Sequence, residues 1–428
     1  MYLVNTSYVE VNGEYSRTFN MTAGVLQGSA TSTILFMAYT ADLVQLFNKQ
    51  FPIEELIHTY HILLHADDCL ILSNCRKQFE EKFRCLENYC VKNSIRLQPL
   101  KCCFLTINAT ECDNIALVNG SIKHSNEAFY LGSTLSSKGN VTYDVSLEIN
   151  QRQKHFNRFY AFLRENYSAP LSVKEKVLEA CVSSAVLYNC ETWGDASVVL
   201  LEKMYRKALK YMLGVRSQVC NEFAYIELAK PTLKSVIQKR QFIFYKNCIC
   251  DKDWPLQRYI IRKAIDARCS FINHYVKLGE VYASADDITK TSLDRLKEDV
   301  MKKANRGQSR YVSYLEINPT LDRPILYSSH FPTAKIHKTT QLRMISHSLQ
   351  IELGRHKRPV VPHSERLCVC GCIETEPHFL FDCQLYYHIR CRYNIDKRTN
   401  RLNQVLDTNF TCDYINDLYD CRKIFMGT

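Results

Sequence analysis

Two adjacent aspartates, Asp67 and Asp68, lie between two short apolar runs at residues 62–64 and 69–72. Apolar runs on either side of a polar pair predict a β-hairpin with the carboxylates at its tip. Neighbouring carboxylates repel each other, and a divalent cation relieves this repulsion by supplying positive charge. Two such ions about 3.5–4 Å apart can stabilise the attacking and leaving oxygens of phosphoryl transfer. A simple turn, in which aspartates cap backbone N–H groups, is the alternative for the dipeptide alone.

Length and composition limit the class of protein. A chain of 428 residues predicts two or three domains, and a hydrophobic content of 46% is sufficient for buried cores. A wholly disordered or collagen-like chain is therefore excluded. No apolar run approaches the roughly 18–20 residues of a membrane-spanning helix, and the N-terminus lacks a signal-peptide pattern. We expect an intracellular protein, in the nucleus or the cytoplasm, without a membrane partner.

Positive charge is concentrated after residue 150. Residues 1–150 hold 11 basic and 15 acidic residues, a net charge of −4, so the remainder, with 44 basic and 29 acidic residues, carries +15. This balance favours nucleic acid as a partner, with a soluble basic surface as the alternative. Two predicted helices each place basic residues beside an apolar stripe, where they either follow a phosphate backbone or are simply solvated. These basic residues are Arg152, Lys154, His155 and Arg158 in one helix, and Lys203, Arg206, Lys207 and Lys210 in the other.

Several segments resemble, in order and spacing, the motifs of reverse transcriptases, especially those of LINE-type (non-LTR) retrotransposons. Residues 24–36 resemble motif B, and His65-Ala66-Asp67-Asp68 resembles the Tyr-Ala-Asp-Asp sequence of motif C. The resemblance covers most of residues 20–395. Its further segments are residues 94–101 (motif D), 130–133 (motif E), 187–193 (a thumb segment), and 342–347 with 351–355.

The resemblance implies roles for residues at matching positions. Asp67 and Asp68 would be the catalytic carboxylates that bind Mg²⁺ or Mn²⁺, with Asp67 the more direct ligand. Glycine lets a backbone approach a base pair closely, and a glutamine amide can both donate and accept hydrogen bonds. Ordinary turns, a solvated lysine and core packing are the structural alternatives. The residues that would contact template, primer or nucleotide are Gly24, Gln27, Gly28, Lys101, Tyr130 and Gly132.

The sequence departs from the family before motif B. Family members carry a motif A whose aspartate completes the metal site, whereas residues 1–23 resemble no motif A and contain no aspartate. The fingers region is not recognisable either. We therefore expect an N-terminally truncated polymerase that is inactive alone, with an upstream polypeptide as the source of the missing palm. Smaller departures are Ala30, Thr33, His65 and Gln98, at positions where the family has proline, proline, an aromatic residue and asparagine.

A cluster of soft ligands lies near the C-terminus. Zn²⁺ takes four ligands in a tetrahedron, and Cys368, His378 and Cys383 with either Cys370 or Cys372 supply that number. The spacing is similar to the Cys-Cys-His-Cys knuckle of the same elements, which implies Cys370, with Cys372 as a competitor. Free thiols with an incidental histidine are the alternative. Nearby basic residues would face RNA or target DNA; these are Arg355, His356, Lys357, Arg358 and Arg366.

These observations predict an α+β fold: a partial polymerase palm with the Asp-Asp hairpin and helices, a mainly α-helical thumb, and a small zinc-knuckle tail. We expect a fragment of a retrotransposon RNA-directed DNA polymerase that uses Mg²⁺ or Mn²⁺, Zn²⁺, an RNA template and a DNA primer or target. A non-catalytic nucleic-acid-binding remnant and a decayed element product are the alternatives. The expected boundaries are 1–140 (palm), 141–300 (thumb and connection), 301–340 (linker), 341–395 (Cys/His region) and 396–428 (tail).

Overall fold

The computed structural model describes residues 6–21, 24–26, 28–29, 31–51, 61–107, 113–117, 120–250, 255–328, 331–397, 400–408 and 411–427. The chain divides into two compact units, Met1–Gly139 and Asn140–Thr428, called unit 1 and unit 2 below. The division lies one residue before the end of the expected palm. None of the described helices has the length and apolar character that crossing a membrane requires.

Unit 1 combines short β-hairpins with a few helices. Its strands are β1 Thr6–Ser7, β2 Glu10–Val11, β3 Glu14–Tyr15, β4 Phe19–Asn20, β5 Ile62–His65, β6 Asp68–Ile71, β7 Cys103–Phe104, β8 Ile115–Leu117, β9 Gly120–His124, β10 Glu127–Tyr130 and β11 Ser133–Ser136. The antiparallel pairs are β1 with β4, β2 with β3, β5 with β6 and β10 with β11, and a small sheet has the order β7-β9-β8. The helices are α1 Ser32–Tyr39, α2 Ala41–Gln50 and α3 Arg76–Lys92, with a 3₁₀ turn at Pro99–Lys101.

The core of unit 1 forms where α2 and α3 pack against the strands. Phe47 of α2, Phe83 and Leu86 of α3, and Ile62 of β5 are buried there. The sequence predicts an amphipathic helix over residues 78–94, and α3 confirms it. Val91, expected on the apolar face, is 75% exposed, because a helix rotates by about 100° per residue and so turns Val91 away from its buried neighbour Cys90.

Unit 2 is mainly helical, and its described residues contain two isolated β-bridges, Pro170 with Pro332 and Leu367 with Ile373, but no longer strand. Its helices are α4 Val141–Glu165, α5 Leu171–Val177, α6 Ser184–Val186, α7 Val199–Met212, α8 Asn221–Glu227, α9 Leu233–Cys250, α10 Pro255–Asp266, α11 Ser270–Val281, α12 Ala285–Asn305, α13 Ser309–Ile317, α14 Thr333–Arg343, α15 Gln350–His356, α16 Tyr387–Tyr393, α17 Leu402–Asp407 and α18 Cys412–Met426. The mixture of helices with small sheets agrees with the α+β prediction.

One large core spans unit 2 from α4 to α18 and includes residues that were expected to form a linker and a tail. Tyr314 of α13 and Leu326 lie within the expected linker, and Tyr414 and Leu418 of α18 lie within the expected tail; all are almost fully buried. The structure therefore differs from the expectation for residues 301–340 and 396–428. Short polar helices lack strong periodicity, so their burial depends on segments that are distant in sequence.

Candidate functional site

The Asp-Asp hairpin is formed by β5 and β6, which confirms the hairpin prediction. His65 pairs with Asp68 across the ladder, so Ala66 and Asp67 form a two-residue turn. Ala66 adopts a left-handed φ of 53°, a conformation that costs about 1–2 kcal/mol for a residue other than glycine. Asp67 and Asp68 are exposed, and neither carboxylate takes part in a hydrogen bond or ion pair with the described residues. Both carboxylates are thus available to a cation.

Tyr130 lies close to this hairpin. Burial first, and then the Cys69 thiol and the Asp68 carboxylate, raises the pKa of Tyr130 above its ordinary value. The charge of Asp68 thus acts on Tyr130, although the two residues are 62 positions apart in the printed sequence. Tyr130 ends β10 and pairs with Ser133 of β11. The two turn residues between them, Leu131 and Gly132, have φ values of 47° and 78°, and such a turn favours glycine because glycine carries no Cβ.

The other residues expected near the substrate lie elsewhere in unit 1. Gly24 and Gly28 are exposed, with left-handed φ values of 90° and 84°, in the loop before α1. The Ser32 hydroxyl donates to the Leu26 carbonyl oxygen at 2.6 Å and closes this loop. Gln27 lies outside the described residues. Lys101 is exposed at the end of the Pro99–Lys101 turn, and no hydrogen bond or ion pair joins it to the hairpin in the part of unit 1 that is described.

The Cys/His cluster converges in unit 2. The ligand atoms of Cys368, Cys370, His378 and Cys383 all lie within 4.8 Å of one another. Cys368 Sγ and Cys383 Sγ are 3.8 Å apart, and Cys370 Sγ is 3.2 Å from His378 Nε2. Zn–S bonds of about 2.3 Å in a tetrahedron separate two sulfurs by about 3.8 Å, so the Cys368–Cys383 pair fits two corners of a zinc site. Cys372 is exposed and lies outside the group of four.

Two members of the cluster, Cys370 and His378, have pKa values that are shifted toward the forms that bind a metal. Burial opposes ionisation of Cys370, but hydrogen bonds from the Cys372 backbone and the neighbouring thiols outweigh it and lower the pKa of Cys370. Burial also lowers the pKa of His378, which keeps the imidazole in the neutral form that ligates metals. Burial raises the pKa of Cys383 to about 12, because a thiolate without a compensating charge is disfavoured there.

Buried polar pairs hold the segment that carries the Cys/His cluster. Glu374 is 1% exposed, and its carboxylate accepts from Arg422 Nε at 2.7 Å and from Arg422 Nη2 at 2.8 Å. His347 Nε2 lies 2.8 Å from Glu376 Oε1. Sequence reasoning missed these pairs, because no local pattern links residues that are 48 and 29 positions apart. The sequence indicates such pairs only through Glu374 and Glu376, two glutamates within a short cysteine-rich segment.

Two of the basic residues expected on nucleic-acid-binding faces are buried instead. Arg152 is 6% exposed and donates to Glu148 Oε2 at 2.6 Å and to the Val186 carbonyl oxygen at 3.0 Å. Lys210 is 7% exposed and donates to three oxygens of residues 217–221 at 2.6–2.8 Å. A helical projection places both off the apolar stripe, but neighbouring segments cover that side as well. Lys154, Arg158, Lys203 and Lys207 do remain exposed.

Comparison with known proteins agrees with the hairpin geometry. A family model described as "Reverse transcriptase (RNA-dependent DNA polymerase)" matches residues 1–135, about a third of the chain. The match includes the Asp-Asp hairpin and the Tyr130 hairpin. The class of protein that this part of the chain resembles is therefore the RNA-dependent DNA polymerases.

A transposon protein is among the relatives. The chain is 28% identical over 203 residues to the "Probable RNA-directed DNA polymerase from transposon BS" of Drosophila melanogaster. The matched stretch covers 44% of this chain and 22% of that relative. The chain thus spans about a fifth of the length of the curated relative. The family model and the relative together support a reverse transcriptase family.

Proposed function

We propose that unit 1 is part of the palm of a LINE-type retrotransposon reverse transcriptase, and that unit 2 contains its thumb and a zinc knuckle. The observation that carries this proposal is the exposed Asp67-Asp68 tip of the β5–β6 hairpin, within residues that match the reverse transcriptase family. The activity would be RNA-templated DNA synthesis, with an RNA template and a DNA primer or target, in the nucleus or the cytoplasm.

The residues of the hairpin would hold and orient the reactants. Oxygen ligands, free of other partners, are what Mg²⁺ and Mn²⁺ prefer, so Asp67 and Asp68 fit a divalent ion. Such an ion supplies charge compensation to the oxygens of the transferred phosphate. Tyr130 and the tight Gly132 turn would position the primer end next to the carboxylates, and the open loop at Gly24 and Gly28 would face the template.

A divalent ion in this position is testable without activity. Fe²⁺ replaces Mg²⁺ at oxygen sites and, with ascorbate and peroxide, cuts the nearby backbone. We expect cuts near Asp67 and near Tyr130 that are lost in Asp67→Asn/Asp68→Asn. Asp113→Asn, which removes an exposed carboxylate of the same unit, is the matched control and should keep them. Cuts that persist in the double variant would count against the palm assignment.

The chain alone is proposed to be inactive as a polymerase. Motif A of the family contributes a further aspartate, and residues 1–23 contain none. An upstream polypeptide is the proposed source, and exposed apolar side chains on α1, including Ile34 (66%) and Met37 (57%), offer it a surface. In a primer-extension assay with Mg²⁺ or Mn²⁺ we expect no product. Extension that is lost in Asp67→Ala/Asp68→Ala would contradict the inactivity and leave the palm assignment standing.

The Cys/His cluster is proposed to bind Zn²⁺ through Cys368, Cys370, His378 and Cys383. Zinc measured by mass spectrometry in purified protein should be equimolar with the chain. Cys370→Ser should lose it, whereas Cys372→Ser, the neighbouring thiol outside the group of four, should retain it. Equal zinc contents in both variants would mean that Cys370 is not a zinc ligand.

Nucleic-acid binding without catalysis is the second candidate function. Lys207 Nζ lies 4.8 Å from the centroid of the Tyr160 ring, and Tyr211, 42% exposed, meets the same ring edge-on at 6.3 Å. Basic and aromatic groups together suit a phosphate backbone and its bases. This candidate predicts binding that Asp67→Ala leaves intact and that Lys207→Gln/Arg158→Gln weakens. A decayed product without a role would instead be unstable as a purified chain.

A further inference from the structure

A buried carboxylate in unit 2 is surrounded by an excess of cationic side chains. The Glu352 side chain is 2% exposed. Its Oε1 accepts from Arg310 Nη2 and lies 2.9 Å from His356 Nε2, and its Oε2 accepts from Arg355 Nη1 at 2.9 Å. Glu352, Arg355 and His356 belong to α15, whereas Arg310 comes from α13. Two separate segments therefore build one basic cluster around the Glu352 carboxylate.

Two guanidinium groups face the Glu352 carboxylate in this cluster. A second buried carboxylate, Glu376, also acts on Arg355, but it is hydrogen-bonded to His347. Arg310 Nη2 lies 2.8 Å from His356 Nε2, so the same ring nitrogen faces a cationic donor and a carboxylate acceptor. This nitrogen either accepts from Arg310 or donates to Glu352, and it cannot do both. Where it donates to Glu352, its N–H faces the Arg310 N–H groups, and an additional anion would stabilise these converging donors.

Hydrogen bonds to neighbouring segments fix the arginine side chains of the cluster, and the side chains nevertheless remain partly exposed to solvent. Arg310 Nη1 donates to the Gln218 carbonyl oxygen at 3.4 Å, and Arg355 Nη2 donates to the Ser309 hydroxyl at 3.3 Å. The loop that carries Gln218 is itself fixed by the buried Lys210. The side chains of Arg310, Arg355 and His356 are 25%, 21% and 38% exposed. Each guanidinium has five N–H donors, and these bonds leave several of them for an incoming group.

The surface beside the cluster is also basic. Lys357 and Arg358 follow His356 directly and are exposed. Neither of them forms an ion pair within the described ranges of unit 2. Arg366, expected from the sequence on the same surface, is instead 8% exposed and donates to the carbonyl oxygens of Val361 and Ile351 at 3.0 Å. The accessible charge thus belongs to Arg310 and to residues 355–358.

We propose that Arg310, Arg355 and His356, with Lys357 and Arg358 at the edge, form a binding site for a phosphate group of a nucleic-acid backbone. The planar fork of a guanidinium matches two phosphate oxygens, and two such forks side by side hold a phosphodiester more specifically than point charges do. Glu352 orients both forks and keeps the cations from moving apart. The site shares no residue with the Asp-Asp hairpin or with the Cys/His cluster, and it rests on the proposed nucleic-acid function.

The test is the salt dependence of binding to a short RNA–DNA hybrid duplex, measured by fluorescence anisotropy. Each lost phosphate contact lowers the slope of log K against log salt by about 1. Arg310→Gln and Arg355→Gln should each lower the slope by about 1 and weaken binding roughly tenfold or more. Arg392→Gln is the control, because Arg392 is 65% exposed and forms an ion pair with Asp417. It should leave the slope unchanged.

Thermal melts would report whether each variant folds. If the arginine variants unfold, the same measurement is made on Lys357→Gln/Arg358→Gln. This double substitution breaks no bond to Glu352 and should also lower the slope of log K against log salt. Unchanged slopes in every folded variant, or an equal loss in Arg392→Gln, would overturn the phosphate site alone. A wild-type chain that binds no nucleic acid would overturn both this site and the nucleic-acid function on which it rests.

Discussion

Gly354 leaves room for the side chain of Arg366 on the inner side of α15. A Cβ at this position would lie 2.8 Å from Arg366 Cδ and 2.8 Å from its Cγ. Moving Arg366 away would cost free energy, because its guanidinium donates hydrogen bonds to the Val361 and Ile351 carbonyl oxygens. The absence of one methyl group thus allows a buried arginine to join α15 to the segment that leads into the Cys/His cluster.

Gly354→Ala is therefore expected to lower the free energy of unfolding by about 1–3 kcal/mol, despite the better helix propensity of alanine. Urea unfolding followed by circular dichroism measures this change. Gly279→Ala is the matched control, since Gly279 is also helical and its Cβ would approach only the Tyr245 ring, at 3.2 Å. An equal effect of both substitutions would mean that the Arg366 contact is not the cause.

His337 gives unit 2 a sensitivity to acid. Burial, together with Lys338 and Lys174, lowers the pKa of His337 from 6.5 to about 4, and its Nδ1 forms no hydrogen bond to the described residues. Between pH 6.5 and about 4 the unfolded chain binds a proton that the folded chain refuses. The contribution of His337 to stability is thus fully present above pH 6.5 and is lost as the pH falls toward 4.

His337→Gln is expected to flatten this part of the pH–stability profile, because an amide does not titrate. Urea midpoints measured from neutral pH down to about pH 4 would show a smaller loss for the variant than for the wild type. His363→Gln, which replaces an exposed histidine, should leave the profile as it is. Parallel profiles for all three proteins would contradict the role of His337.

At the scale of elements, α18 fastens the Cys/His segment to the core of unit 2. Arg422 of α18 pairs with the buried Glu374, and the Tyr414 hydroxyl donates to the Leu380 carbonyl oxygen. Cys368, Phe379 and Cys383 belong to the same core as α18. A change at the four Cys/His residues is therefore expected to reach a helix that follows them by about 30 residues.

Chelation of the proposed zinc is expected to loosen residues 366–386 and α18 together and to spare unit 1. Limited proteolysis with and without a chelator would then show new cuts in both segments of unit 2, because thiols packed this closely repel each other when they ionise without a metal. Cys372→Ser should respond to the chelator as the wild type does. A digestion pattern that the chelator leaves unchanged would argue against a structural metal.

Local patterns predicted local elements well. The alternation around Asp67, the periodicity of α3 and the spacing of the Cys/His ligands each depend on residues close in sequence. Burial of Arg152 and Lys210, and the helices at residues 301–340, depend on partners that no local pattern shows. The same holds for Arg310 at Glu352, 42 positions away. Packing between segments that are distant in sequence thus determines which basic residues stay exposed at the surface.

At the scale of the whole molecule, each unit has its own buried core. Phe47 belongs to the unit 1 core and Leu201 to the unit 2 core, and both are fully buried. No residue is shared between the two sets. We therefore expect each unit to unfold as its own cooperative step.

Phe47→Ala and Leu201→Ala serve as controls for each other. Each should destabilise its own unit by about 2–5 kcal/mol, through lost burial and a residual cavity, and should leave the other transition in place. Differential scanning calorimetry would show two transitions in the wild type, one of which shifts in each variant. A common shift of both transitions, or a single transition throughout, would mean that the units unfold together.

The position of α18 in the core also bears on how the chain folds during synthesis. The core of unit 2 joins α4, near its start, to α18, near its end, so its apolar faces cannot all be covered until α18 has left the ribosome. Until then α14 and α16, which pack against α18, keep part of their apolar surface exposed, since contacts of high sequence separation form late. Nascent unit 2 should therefore depend on chaperones that shield apolar segments, whereas unit 1 can complete its core early.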